Sequence, residues 1–199
     1  GNVMRGNDAF VQLRDRIVAC RVCEDKLPHA PKPILCIDPA ARILIAGQAP
    51  GRRAHELGVA WQDASGDRLR EWLGLDPAQF YDPRRVALVP MGFCYPGSTA
   101  SGDRPPRPEC SRTWHGTLLP MLKRIRLRVV IGQYAQAYHL GETCGDSLTE
   151  TVARWRQFAP DVFPLPHPSP RNAIWLKKNP WFAEELLPAL RAAVRAQID

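Results

Sequence analysis

Near the C-terminus, His167-Pro-Ser-Pro-Arg-Asn172 gathers an imidazole, a hydroxyl, a cation and an amide on a backbone stiffened by prolines. Proline fixes φ, so a histidine between prolines presents its ring in a restricted direction. A turn that only capped a strand would need no such set; a histidine donor held at a cleft, with Arg171 projecting outward, would. A second concentration is the loop Gly47-Gln-Ala-Pro-Gly51, followed by Trp61-Gln-Asp-Ala-Ser-Gly66. Within it Asp63 is either a carboxylate that orients water or the N-cap of a helix starting near Gly66. The third is a pair of cysteine pairs, Cys20-x2-Cys23 and Cys94-x15-Cys110, with Cys36 and Cys144 unassigned. Thiolates at this spacing allow tetrahedral zinc and an iron–sulfur cluster equally.

These residues need elements to hold them. Phe10, Leu13, Ile17 and Val18 are spaced for one face of a helix over Asp8–Cys20, which delivers the first cysteine pair. Ala41–Gly47 is a β-branched run ending in glycine, as in a buried central strand. Val86–Phe93, Leu127–Gly132 and Asp161–Leu165 read as further strands, with ladder pairing expected to stop near Pro90. Helices are predicted over Gly66–Leu73, Thr113–Ile125, Gln133–Leu140, Leu148–Phe158 and Pro180–Arg195. Such alternation implies a three-layer α/β/α sandwich around a mostly parallel four-stranded sheet. Ligands of such sheets sit at the carboxyl ends of the strands, so Gln48–Asp63, Cys94–Cys110, the segment from Gln133 and His167–Asn172 should converge on one cleft.

The 199 residues, 45% of them hydrophobic, suffice for one well-buried core and a single domain. Gly1–Val3, ahead of Met4, read as a remnant of expression. No apolar run approaches the roughly 18 residues of a membrane span, and no export signal is evident, so a cytoplasmic protein is expected. That setting argues against a disulfide scaffold. A net charge of +7 favours a polyanionic partner. The arginines are dispersed over several loops, which suits many contacts to one backbone better than a basic tail.

A restrained histidine donor with an outward arginine is what an enzyme needs when it turns a base out of nucleic acid, because extrusion costs a few kcal/mol that a wedge and a snug pocket must offset. His167-Pro-Ser-Pro-Arg-Asn172 resembles the second motif of the uracil-DNA glycosylase superfamily, in its single-strand-selective form. Gly47-Gln-Ala-Pro-Gly51 resembles the first motif, closest to that of the iron–sulfur bacterial and archaeal glycosylases. The match in element order runs from about Ala9 to the last helix. The resemblance implies a monofunctional DNA glycosylase of base-excision repair, acting as a monomer in the bacterial cytosol or nucleoid on single- or double-stranded DNA. It also implies a 4Fe-4S cluster on Cys20, Cys23, Cys94 and Cys110, with zinc as the alternative, pinning the N-terminal helix to the loop Tyr95–Glu109.

By the same resemblance His167 donates to the uracil O2 side and Trp61 stacks on the base, where relatives carry phenylalanine. Pro50, Gly51, Ser169, Arg171, Asn172 and Lys177 face DNA. Three departures stand out. Ala49 occupies a place where several branches carry Asp or Asn, and Gln48 a place where the iron–sulfur enzymes carry Glu, so both line the base without acid–base chemistry. Asp63 is then the candidate catalytic carboxylate; His55 and Glu56 lie in the same loop. Pro90 replaces the asparagine that reads uracil, which leaves the task to backbone groups near Met91–Phe93 or to Gln48 and predicts a broadened preference for deaminated bases. A catalytically silent DNA-lesion binder of the same fold is the alternative. A phosphate-binding enzyme is disfavoured, because Gly47–Gly51 has neither the Gly-x-Gly-x-x-Gly pattern nor a Gly-Lys-Ser/Thr ending.

Overall fold

A computed structural model describes residues 2–198, with side-chain surroundings from Asp8 onward; Gly1 and Asp199, and hence part of the remnant read at Gly1–Val3, lie outside the described residues. In chain order the helices are α1 (Asn2–Val18), α2 (Arg52–Leu57), α3 (Ala64–Leu73), α4 (Pro77–Phe80), α5 (Gly116–Met121), α6 (Gly132–Leu140), α7 (Leu148–Ala153), α8 (Trp155–Phe158), α9 (Ala173–Lys178) and α10 (Leu187–Ile198). The strands are β1 (Ile43–Ala46), β2 (Val86–Leu88), β3 (Ser98–Thr99), β4 (Gly102–Asp103), β5 (Leu127–Ile131) and β6 (Val162–Leu165). Four of them form one wholly parallel sheet in the order β2-β1-β5-β6, and β3 pairs with β4 in a separate antiparallel hairpin.

The sheet is apolar on both faces because helices cover both. Ile43 and Ile45 of β1 point to one side, with Val129 and Phe163, and meet Leu69, Trp72 and Leu73 of α3 and Leu190 and Val194 of α10. Leu44 and Ala87 point to the other, where Phe10, Leu13 and Ile17 of α1 and Leu118 of α5 cover them. Val18, predicted on the buried face of α1, is exposed at the end of that helix. Pro164 sits inside β6, which is an edge strand, where a missing N–H is tolerated. Regular pairing of β2 ends at Leu88, as the proline predicts, but bonds to β1 and its loop continue from Val89, Met91 and Gly92 around Pro90.

Two predicted helices begin as wide turns. Ser111–His115 and Phe182–Leu186 are π-helical and lead into α5 and α10, which carry Pro120 and Pro188. A proline cannot donate to the carbonyl four residues back, and a wider preceding turn accommodates the interrupted ladder. The helix expected over Leu148–Phe158 is divided at Arg154 into α7 and α8.

Candidate active site

A cleft of about 990 Å³ opens at the carboxyl ends of β1, β2 and β6. The segments after these strands supply Gln48, Ala49, Pro50 and Gly51; Pro90 and the hairpin residues Gly102, Asp103 and Arg104; and His167, Ser169 and Arg171. The segment after β5 does not take part. Gly132, at φ 83°, turns straight into α6 and carries the chain away, so that part of the expected convergence is absent.

Trp61 is the most constrained residue of the cleft. Its φ of 64° is the left-handed region, which costs a bulky L-residue roughly 1–2 kcal/mol. Three contacts hold it there. Arg70, buried at 7% exposure, donates from Nη1 to the Trp61 carbonyl at 2.9 Å and to Tyr81 Oη at 3.2 Å, while its Nη2 meets Asp67 at 2.9 Å. Tyr81 Oη in turn donates to the Ala60 carbonyl at 2.6 Å. Gly47 at the end of β1 leaves room for the indole: a Cβ there would lie 3.1 Å from Trp61 Cζ2. The half-buried indole thus packs on the core and also lines the cleft, its ring centroid 5.7 Å from that of His167 with the planes 32° apart.

His167 is oriented from behind. Asn172, expected to face DNA, instead donates from Nδ2 to the His167 carbonyl at 2.7 Å, and Ser169 Oγ accepts from the Arg171 N–H at 3.1 Å. Both side chains therefore brace the turn. Burial pulls the imidazole below its ordinary pKa, against the opposing pull of Asp63 and Asp103, so the neutral ring is favoured. Asp63 takes the capping role: its Oδ1 accepts from the Gly66 N–H at 2.8 Å at the start of α3. Its exposed carboxylate still lines the cleft.

The loop after β2 is used differently from the sequence expectation. The Met91 and Gly92 N–H groups donate to the carbonyls of Gly47 and Gln48, at 3.0 and 2.9 Å, and the Phe93 N–H points at Cys110 Sγ. Met91 and Phe93 are buried in the core and do not line the cleft. All three backbone donors are occupied, so the base-reading role expected of Met91 and Phe93 gives way, and the side-chain amides of Gln48 and Gln62 are left lining the cavity. The Pro90 carbonyl oxygen lies 3.0 Å from His115 Nε2.

Among the described residues, the side chains of Arg104 and Arg171 at the cleft have no ion-pair partner. Arg53 donates to the Gln62 carbonyl, and Arg52 pairs with Glu56. Lys177, on the exposed side of α9, lies outside the cleft lining. His55 stacks on His29 with centroids 5.0 Å apart and stands 6.0 Å from Tyr95, outside the lining. Asp103, on the hairpin, is a cleft carboxylate that sequence reasoning missed; its signal was a Gly-Asp pair inside the proline-rich loop, which indicates a turn but not its direction.

Away from the cleft, Cys20, Cys23, Cys94 and Cys110 surround one small void of about 20 Å³ with Leu27, Pro31, Pro33 and Phe93. Trp114 Nε1–H points at Cys20 Sγ at 3.4 Å and Phe93 N–H at Cys110 Sγ at 3.5 Å. Burial pushes the Cys23, Cys94 and Cys110 thiols up to about 11. Cys23 Sγ donates to Glu109, whose carboxylate Arg107 also grips. Among the described residues no three His, Cys, Asp or Glu are arranged to hold a single metal ion. Cys36 lines the cleft beside Leu88, and Cys144 Sγ meets the Gln136 carbonyl.

Compared with models of known protein families, residues 36–191 match the Uracil DNA glycosylase superfamily. The match covers most of the chain, which therefore belongs to that superfamily. Membership brings a DNA glycosylase type of function, with DNA as partner. No helix among the described residues is long and apolar enough to cross a membrane.

Proposed function

We propose that this member of the uracil-DNA glycosylase superfamily hydrolyses the N-glycosidic bond of uracil or another deaminated base in DNA, after the nucleotide has turned into the cleft. The observation that carries the reading is the pairing of Trp61 and His167 at the mouth of β1 and β6, one ring offering a face and the other a donor. Stacking on an aromatic face is worth about 1–3 kcal/mol per base, comparable with the few kcal/mol of extrusion. The cavity lies within the roughly 300–1,000 Å³ typical of small-ligand sites.

Cleavage sends the C1′–N bonding pair to the base, where charge spreads onto the flanking carbonyl, and leaves a cation-like sugar that takes up water and releases a proton. Neutral His167 donates a hydrogen bond to that carbonyl, and the bond strengthens as the charge grows. Asp63 and Asp103 bring negative charge to the same cleft. Arg104 and Arg171 are placed to meet phosphates. Gln48 reads the base edge with an amide that offers either a donor or an acceptor.

The four cysteines are the residues that would hold a 4Fe-4S cluster: they line a common void, and two of the sulfurs receive N–H donors as cluster thiolates do. A cluster held by Cys20, Cys23, Cys94 and Cys110 would cross-link the segment after α1 to the loop that carries the β3–β4 hairpin.

The test is incubation with single- and double-stranded oligonucleotides carrying uracil or hypoxanthine, followed by alkaline strand scission. Scission at the altered base is expected. Retained DNA binding with no scission at excess protein would replace this reading with a silent lesion binder, an outcome that the capping role of Asp63 and the neutral Gln48 and Ala49 make worth measuring.

A further inference from the structure

Hydrolysis needs a group to hold the attacking water and to face the sugar cation, and the first-motif loop offers only Gln48 and Ala49. Asp63 has one oxygen fixed to the α3 N-terminus. The other carboxylate of the cleft is Asp103, and four observations define its place.

It ends the β3–β4 hairpin, which folds over the cleft from the β2 side. Its Oδ1 accepts from Ser98 Oγ at 2.8 Å, and Ser98 Oγ is itself 2.5 Å from Tyr95 Oη, so one oxygen is locked by a hydroxyl relay. Its Oδ2 faces the first-motif backbone, 3.4 Å from where a Cβ on Gly51 would stand, and has no hydrogen-bond partner among the described residues. The hairpin is packed on the second motif: a Cβ at Gly102 would lie 3.5 Å from Arg171 Nη1, and the φ of +128° at Gly102 is one that L side chains rarely adopt. Asp103 thus stands between the two motifs with one oxygen fixed and the other open to the cavity.

Resting on the glycosylase reading above, we propose that Asp103 is the catalytic carboxylate that orients the attacking water and stabilises the sugar cation, while Asp63 is the helix cap. As the C1′–N bond breaks and its electron pair leaves with the base, the water oxygen bonds to C1′ and its proton passes to Oδ2 of Asp103, then to solvent.

Asp103→Asn keeps an oxygen for Ser98 and removes the charge. A single-turnover rate loss of about 10²-fold or more is expected, with unchanged thermal stability and no loss of DNA affinity. Asp63→Asn, which preserves the cap, should lose clearly less rate than Asp103→Asn. A second measurement needs no turnover: affinity for DNA carrying a cationic pyrrolidine sugar analogue against neutral tetrahydrofuran abasic DNA. Asp103→Asn should lose at least about tenfold of the preference for the cation. An unchanged rate in Asp103→Asn, or a greater loss in Asp63→Asn, overturns the assignment, as does an unchanged preference for the cationic analogue. A parent protein that cuts no base but prefers the cationic analogue through Asp103 would remove the glycosylase reading and the water-orienting step with it, leaving only the carboxylate's recognition of the cation.

Discussion

Gly66→Ala probes the device that holds Trp61 in the cleft. Gly66 lies in the first turn of α3, and a Cβ there would stand 1.8 Å from the Trp61 carbonyl oxygen and 2.5 Å from its carbon. Both are backbone atoms, so no side-chain rotation relieves the clash, and the Trp61 carbonyl must retreat by more than about 1 Å to reach ordinary contact. That movement stretches the 2.9 Å bond from Arg70, whose buried guanidinium then has an unpaired N–H, at about 1–3 kcal/mol. Overpacking adds about 1–3 kcal/mol, and alanine in place of glycine in a helix returns up to about 1 kcal/mol. A net loss of roughly 1–4 kcal/mol in urea unfolding is expected. Catalysis should suffer more, because displacing a positioning group by about 1 Å can cost 10²-fold in rate. Gly116→Ala is the control: it is helical with nothing within 4 Å of its Cβ, so it should stabilise by up to about 1 kcal/mol with the rate unchanged. Equal stability and equal single-turnover cleavage in Gly66→Ala and the parent would refute the argument that this glycine sets the Trp61 conformation.

His167→Ala should lower the cleavage rate by about 10²–10³-fold with little change in DNA affinity; equal losses in both would remove its transition-state role. The buried His139, held down to about 3 mainly by burial and then by Arg128, binds fewer protons folded than unfolded. Its contribution, roughly 5 kcal/mol, is therefore full above its ordinary value of 6.5 and lost as pH falls from there through about 3. His139→Gln, which can still accept from Arg128, should flatten that acid loss, and an unchanged stability–pH curve would contradict the account. Protein loaded with iron and sulfide should be brown, and Cys94→Ala should lose both the colour and several degrees of Tm; a colourless protein holding one zinc per chain would overturn the cluster reading.

The sheet was legible because Ala41–Gly47, Val86–Phe93 and Leu127–Gly132 are apolar runs that only a doubly covered parallel sheet explains. The two motif loops were legible because strand ends fix their position. The small elements were less so. α2 and α9 are one and a half turns long, too short for periodicity to declare them, and the β3–β4 hairpin has two residues per strand. That hairpin decides where Asp103 points, so its carboxylate was invisible while Asp63, beside a recognisable aromatic, drew the role. The capping bond of Asp63 was itself foreseeable from an aspartate three residues before Gly66. The occupation of the Met91, Gly92 and Phe93 donors was not, because it depends on how β1 and β2 continue past Pro90.

That occupation sets a ceiling on discrimination. A site that reads a base with fixed buried donors rejects the wrong edge by as much as 10⁴–10⁵-fold, because a mismatch leaves those donors unpaired. Here the backbone donors after β2 bind inward to Gly47, Gln48 and Cys110, and Pro90 has no N–H at all. The Gln48 amide can present oxygen or nitrogen by rotation, so it pairs with a carbonyl or with a ring N–H at similar cost. What separates bases is then the fit between Trp61 and the opposite wall, and shape alone gives differences of roughly 10–200-fold. Uracil and hypoxanthine should therefore be removed with specificity constants closer than that 10⁴-fold. Gln48→Ala should narrow the gap further by removing the amide of the first-motif loop. A gap above 10⁴-fold that survives Gln48→Ala would mean that another group reads the base edge, and would refute the inference from the occupied donors.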